Sequence, residues 1–230
     1  MRIDIATLET CAEARGVVVV IDVIRAFTTA AVALAAGARE IVPVSTVDEA
    51  LRLRARWPET LVMGEVGGLP PAGFDFGNSP SALVNLDLGG RRLIQRTGAG
   101  TQGLVRSRQA EVLFGGNLVC AAATVRAIRA LGAPAVTLVC TDWHDEDPAC
   151  AEYLAASLRG ETPDPAPYLA RVRAAGLARV RPGPDDQGWP AWAVQQFMAD
   201  LDLCVAVDRF DFALRARRRA EGLALTAEPA

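Results

Sequence analysis

The sequence predicts an α/β protein in three layers, a mainly parallel sheet with helices on both faces. Two observations carry this. Short runs of aliphatic, often β-branched residues recur six times between Val17 and Cys140, separated by segments of helical character, and that alternation is the mark of a parallel sheet covered on both sides. Charged and glycine-rich residues also gather just after the apolar runs, at the carboxyl edge where such sheets bind ligands.

Taken in order, Val17 to Ile21 reads as a strand buried on both faces and stopped by Asp22. The segment Asp22-Val-Ile-Arg-Ala-Phe-Thr-Thr29 leads into a helix from Ala30 to Ala36 that Gly37 closes. Glu40 to Val44 is the second strand, and Thr46-Val-Asp-Glu49 has the spacing of a capping box opening a helix through Arg56. Thr60 to Met63 is the third strand. Gly64 to Pro80 follows it with five Gly and three Pro, which excludes a helix or a central strand. A short helix is expected after Pro80, then strands at Arg92 to Gln95, Glu111 to Phe114 and Ala135 to Cys140, with helices from Leu118 to Leu131 and Pro148 to Leu158. Beyond Gly160 the pattern predicts helices at about Tyr168 to Ala175 and Trp192 to Leu201, Pro- and Gly-rich connections at Glu161 to Pro167 and Arg181 to Pro190, a last strand at Leu203 to Val207, and a frayed end from Leu225.

Composition narrows the function. The 230 residues, 51% hydrophobic, suit one domain, with a subdivision near residue 110 left open. All 24 basic side chains are Arg, so a lysine Schiff base and a Walker-type phosphate loop are excluded. One His, His144, without a Gly-x-Ser-x-Gly elbow argues against a serine-hydrolase triad. Five dispersed Cys indicate neither a disulfide framework nor a zinc site. The net charge of −3, with one basic cluster at Arg215 to Arg219, argues against nucleic acid, and the lack of a long apolar run or signal sequence argues against a membrane, leaving a cytoplasmic protein. A homodimer is compatible with all of this.

Four stretches look built for chemistry. Glu65, Asp75 and Asn78 place hard oxygen donors in the flexible loop after the third strand, a combination suited to Mg2+ or phosphate. Arg96-Thr-Gly-Ala-Gly-Thr-Gln-Gly103 offers the amides and hydroxyls of Thr97, Gly98, Gly100 and Thr101 to an anion. Asp22 with Arg25, and Glu146 with Asp147, stand after the first and sixth strands. Structural readings compete: Asp22 and Asp147 as helix caps, Arg25 paired with Asp22, and Asn78 in an Asx-turn.

These motifs, together with Gly64-Glu-Val-Gly-Gly68 and Gly73-Phe-Asp-Phe-Gly-Asn-Ser-Pro80, resemble the 2-phosphosulfolactate phosphatase family in the same order from Val17 to Leu158. The resemblance implies a three-layer α/β/α fold with related halves and a Mg2+-dependent hydrolase that removes phosphate from a small anionic hydroxyacid phosphate, a step of coenzyme M synthesis. For such chemistry the expected Mg2+ ligands are Glu65 and Asp75 first and Asp22 third, with Arg25 and Arg96 as an anion clamp and Glu146 or Asp147 as general acid or base. Two positions depart from the family pattern: Val66 stands where it has Arg, and Ala99 where it has Asn. They keep open a second reading, a binding protein that holds a phosphorylated metabolite without hydrolysing it.

Overall fold

A computed structural model describes residues 1–142, 144–180 and 189–229. The described chain runs β1 (Arg2–Thr7), β2 (Gly16–Ile21), α1 (Ala26–Ala35), β3 (Glu40–Val44), α2 (Val47–Arg56), β4 (Leu61–Gly64), β5 (Arg92–Arg96), α3 (Gly100–Arg106), β6 (Ala110–Gly116), α4 (Ala121–Ala130), β7 (Ala135–Cys140), α5 (Glu146–Arg159), α6 (Ala166–Arg179), α7 (Ala191–Cys204), β8 (Phe212–Arg219) and β9 (Gly222–Pro229). All nine strands join one sheet in the order β1-β7-β2-β6-β8-β9-β3-β5-β4.

Five of the eight pairings are parallel, in two blocks, β1-β7-β2-β6 and β3-β5-β4. The blocks are joined through β8 and β9 by three antiparallel pairings, so they run in opposite directions along the sheet. One face carries a core built around α1 and α3, with Val18, Val20, Ile41, Leu93 and Leu214. The other face is covered by α4 to α7 over Val19, Ile21, Phe114 and Leu138, and by α2 over Val42, Val62 and Ile94. This is the three-layer arrangement.

Several expectations are corrected. Arg2–Thr7 is a strand the sequence reading passed over, paired with β7 at the sheet edge. Residues 81–85 form turns rather than a short helix. Leu203 and Cys204 end α7, and no strand forms at 203–207, because that stretch finishes an amphipathic helix burying Phe197, Leu201 and Cys204. The tail is a hairpin: β8 and β9 pair along their full length, with Leu214 and Ala216 buried between the arginines. The connection expected from Arg181 lies, over 181–188, outside the described residues. Half of the capping box forms, Thr46 Oγ1 accepting from the Glu49 amide at 3.1 Å, while the Glu49 carboxylate reaches one residue further back to the Ser45 amide at 3.0 Å. Among the described residues no helix is long and apolar enough to cross a membrane.

Candidate active site

A cleft of ≈ 550 Å³ collects the ends of β2, β4, β5 and β7. Among the described residues, Asp22 is one of its three buried acids, with Glu146 and Asp147. One carboxylate oxygen of Asp22 accepts the Ala26 amide at 3.0 Å, capping α1, and the other accepts the Gly100 amide at 2.7 Å. Only glycine allows this: a Cβ at Gly100 would lie 2.7 Å from Asp22 Oδ2 and 2.8 Å from Ala26 Cβ. Glu65 is held the same way, accepting from the Gly98 amide at 2.5 Å and the Gly68 amide at 2.8 Å. The Gly98 and Gly100 amides, expected to receive a substrate anion, are therefore committed to carboxylates. Thr97 and Thr101 also satisfy each other, the Thr97 amide donating to Thr101 Oγ1 at 2.8 Å and the Thr101 amide to Thr97 Oγ1 at 3.1 Å. Thr97, Gly98 and Ala99 line the cleft, whereas Gly100 and Thr101 stand behind it.

The second group comes from the start of α5. Asp147 is fully engaged: it accepts from the Val23 amide (3.0 Å), the Thr141 amide (3.0 Å), the Thr141 hydroxyl (3.1 Å) and the Asp142 amide (3.2 Å). It ties the loops after β2 and β7 together and is not the helix cap; Asp145 holds that position. Glu146 is buried, with one oxygen on Arg179 and Oε2 without a partner. Arg179 also reaches Asp142 at 2.7 Å, and Asp142 lies 2.7 Å from His144 Nδ1. Asp142, His144 and Glu146 bring one ligand atom each within 4.8 Å of one another.

Arg25 is buried in the cleft wall between the Trp189 and Phe197 rings, at 5.6 and 5.1 Å. Its partner is Asp200 at 2.6 Å rather than Asp22. Asp200 in turn accepts from the Ser79 hydroxyl (2.7 Å), the Ser81 amide (2.9 Å) and the Ser81 hydroxyl (2.6 Å). The Asn78 side-chain oxygen Oδ1 is buried without a partner, so no Asx-turn forms there. Asp200 and Arg179 are absent from the sequence-based site. Asp200 had a signal, a lone charge on the face of α7 shared with Phe197 and Cys204; Arg179 had none.

Two assignments fail on geometry. Asp75 does not line the cleft, because its carboxylate accepts from the Val62 amide at 2.8 Å and from Arg54 at 3.1 Å. Arg96 lies behind the wall, donating to the Glu65 carbonyl at 2.7 Å and the Ser45 carbonyl at 3.3 Å. It positions the Glu65 loop. Asp75→Asn is accordingly expected to leave divalent-metal affinity unchanged and to cost about 1 kcal/mol of stability through one weakened hydrogen bond; isothermal titration and urea unfolding check both.

Electrostatics mark the cleft as short of positive charge. Among the described residues, Glu9, Asp22, Glu65, Asp142, Glu146 and Asp147 line it against two guanidiniums, Arg25 and Arg179. Burial raises the Asp22 pKa to about 6, outweighing the Ala26 amide, Arg179 and the Gly100 amide, while Glu65 adds to the rise. Burial, then the Asp22 charge, pushes Asp147 well up. Burial also pushes Asp142 up, but the hydrogen bond and charge of Arg179, followed by His144, bring it down to about 2. Hard oxygen donors in excess, with the Asn78 side-chain oxygen unsatisfied, fit a divalent cation. The cysteines offer no nucleophile: all five are buried, and burial pushes Cys120 and Cys140 up to about 12.

Comparison with known proteins gives one family. A family model described as 2-phosphosulpholactate phosphatase matches residues 5–179. Among curated relatives, a protein named probable 2-phosphosulfolactate phosphatase from Bacillus subtilis (strain 168) is 36% identical over 145 residues, 62% of this chain and 64% of its own. Proteins of the same name from Carboxydothermus hydrogenoformans and Thermosynechococcus vestitus are 45% identical over 106 residues and 34% identical over 158, covering 46% and 66% of this chain and 44% and 65% of theirs. In each case the match spans less than two thirds of the relative's length. The family match takes in the cleft residues from Leu8 to Arg179 and stops before Trp189, Phe197 and Asp200. The chain belongs to the 2-phosphosulpholactate phosphatase family.

Proposed function

We propose that this protein hydrolyses the phosphate ester of a small anionic hydroxyacid, of the 2-phosphosulfolactate type, with Mg2+ as cofactor. The observation that carries this is the cleft's charge: among the described residues, six carboxylates against two guanidiniums repel a phosphate dianion unless a cation is present. Asp22 and Glu65 are the residues that would hold Mg2+, with the Asn78 side-chain oxygen as a third donor; few protein ligands suffice because Mg2+ keeps waters. Bound there, the cation supplies charge neutralisation and polarisation of a phosphoryl oxygen.

The remaining work is positioning, which is most of what phosphoryl transfer asks of a protein. Arg25 spends one donor on Asp200 and one on the Gly68 carbonyl, leaving others of its five N–H groups for a substrate acid group. Trp189 and Phe197 fix its plane and exclude water on that side. Asp147, bound by four donors, acts by fixing the strand-end loops rather than by moving a proton. Val66, 51% exposed beside the cleft loop, removes a guanidinium from the family pattern, and each lost charge-assisted bond weakens anion binding by about 1.5–3 kcal/mol. This favours substrates whose second acid group needs fewer donors.

The test is phosphate release from phosphosulfolactate, phospholactate and a panel of small phosphomonoesters. Release in Mg2+, abolished by EDTA and restored by added Mg2+, is the expected result. No release from any of them, with metabolite-dependent thermal stabilisation instead, would make the protein a binder.

A further inference from the structure

We propose that Asp142, His144 and Glu146 form a second cation site, for a divalent transition metal such as Mn2+, Co2+ or Zn2+, and that Arg179 occupies it as a displaceable counter-ion. The three residues offer ligand atoms within 4.8 Å of one another. Two further observations point to a ligand. Glu146 is 1% exposed, yet its Oε2 has no hydrogen-bond partner, and a buried carboxylate oxygen is rarely left so unless it serves a ligand or a function. Arg179 bridges Glu146 and Asp142 Oδ2, but its own Nε is buried without an acceptor, so one imperfectly satisfied guanidinium serves two carboxylates.

The donor set separates this site from the Mg2+ position. Imidazole suits Mn2+, Co2+ and Zn2+ far better than Mg2+, which prefers oxygen throughout. Asp142 Oδ1 lies 2.7 Å from His144 Nδ1, so a carboxylate and an imidazole of the proposed set already stand side by side. The charge count among the described residues also leaves room: one divalent ion on Asp22 and Glu65 does not offset six carboxylates against two guanidiniums. The assignment of Glu146 is thus to a metal, not to proton transfer, and it holds whether or not a phosphate ester is the substrate.

The test uses chelator-treated full-length protein held in excess Mg2+ and titrated with Co2+. One equivalent of Co2+ is expected to bind with visible ligand-field bands, together with a paramagnetically shifted imidazole signal, which is unambiguous because the chain has one His. His144→Ala should abolish that equivalent. Arg179→Ala, which removes the competing cation, should tighten it about tenfold, a gain that a misfolded variant could not show. Absence of Co2+ uptake by the wild type under Mg2+, or unchanged uptake by folded His144→Ala, overturns the proposal. Failure of phosphate release leaves both readouts intact.

Discussion

Asp22→Asn is expected to lower kcat by at least about a hundredfold and, without metal, to flatten the pH dependence of stability. The first figure follows because losing even an outer-shell partner of a metal ligand typically costs 10–100-fold, and Asp22 is proposed as a ligand itself. The second follows from its burial. Asp22 is raised from 3.8 to about 6 in the folded protein, so between those values the folded state holds a proton that the unfolded chain has released. Stability is therefore complete below about pH 4 and falls as pH rises through 6, by a penalty on the order of 3 kcal/mol for a shift of about two units. Asparagine removes the charge and most of that slope, although its NH2 faces either the Ala26 or the Gly100 amide and returns part of the gain. Mg2+ should stabilise the wild type more at pH 7 than at pH 5 and stabilise the variant little at either. Thermal melts across pH, with and without Mg2+, check this; parallel curves for the two proteins would remove Asp22 from the metal site.

The largest loss of stability is expected from Asp200→Ala, about 3–5 kcal/mol, the usual cost of stripping one partner from a buried ion pair. Arg25 would be left charged between Trp189 and Phe197, and the Ser79 and Ser81 hydroxyls would lose their common acceptor. The urea midpoint should fall sharply with little change in slope. The double variant Arg25→Met, Asp200→Leu separates stability from function: removing both charges should restore much of the midpoint, while hydrolysis stays lost because the substrate clamp is gone. Full recovery of both would show that Arg25 has no part in binding.

Much of this was legible before folding. Runs such as Val17 to Ile21 and Ala135 to Cys140 are too apolar to be anything but central strands, and each ends where the cleft begins. Asp22, Glu65 and Glu146 stood out because acids after such strands have few other reasons to be there, and all three line the cleft together with Asn78. Asp75 misled because its loop neighbours are true cleft residues, while its side chain folds back on Arg54. The amides of Gly98 and Gly100 misled differently: a glycine-rich turn advertises anion binding, and here the anions are the protein's own Glu65 and Asp22. The terminal hairpin was hidden by its arginines. Arg215 and Arg217 alternate with Leu214 and Ala216, a period of two that marks a half-buried strand.

That hairpin has a consequence for assembly order. Asp22 and Asp147 follow strands of one parallel block, Glu65 and Gly98 strands of the other, and within the sheet the blocks are joined only by way of β8 and β9. Both strands come after every described element that supplies a cleft residue. During synthesis each block can pair once its last strand, β7 or β5, has emerged, yet the strand edges facing each other stay open until the hairpin is translated and zipped between them. The nascent protein therefore carries two unpaired edges late into translation, and the cleft acquires its final register only when the arginine-bearing strands, which do not line it, have docked.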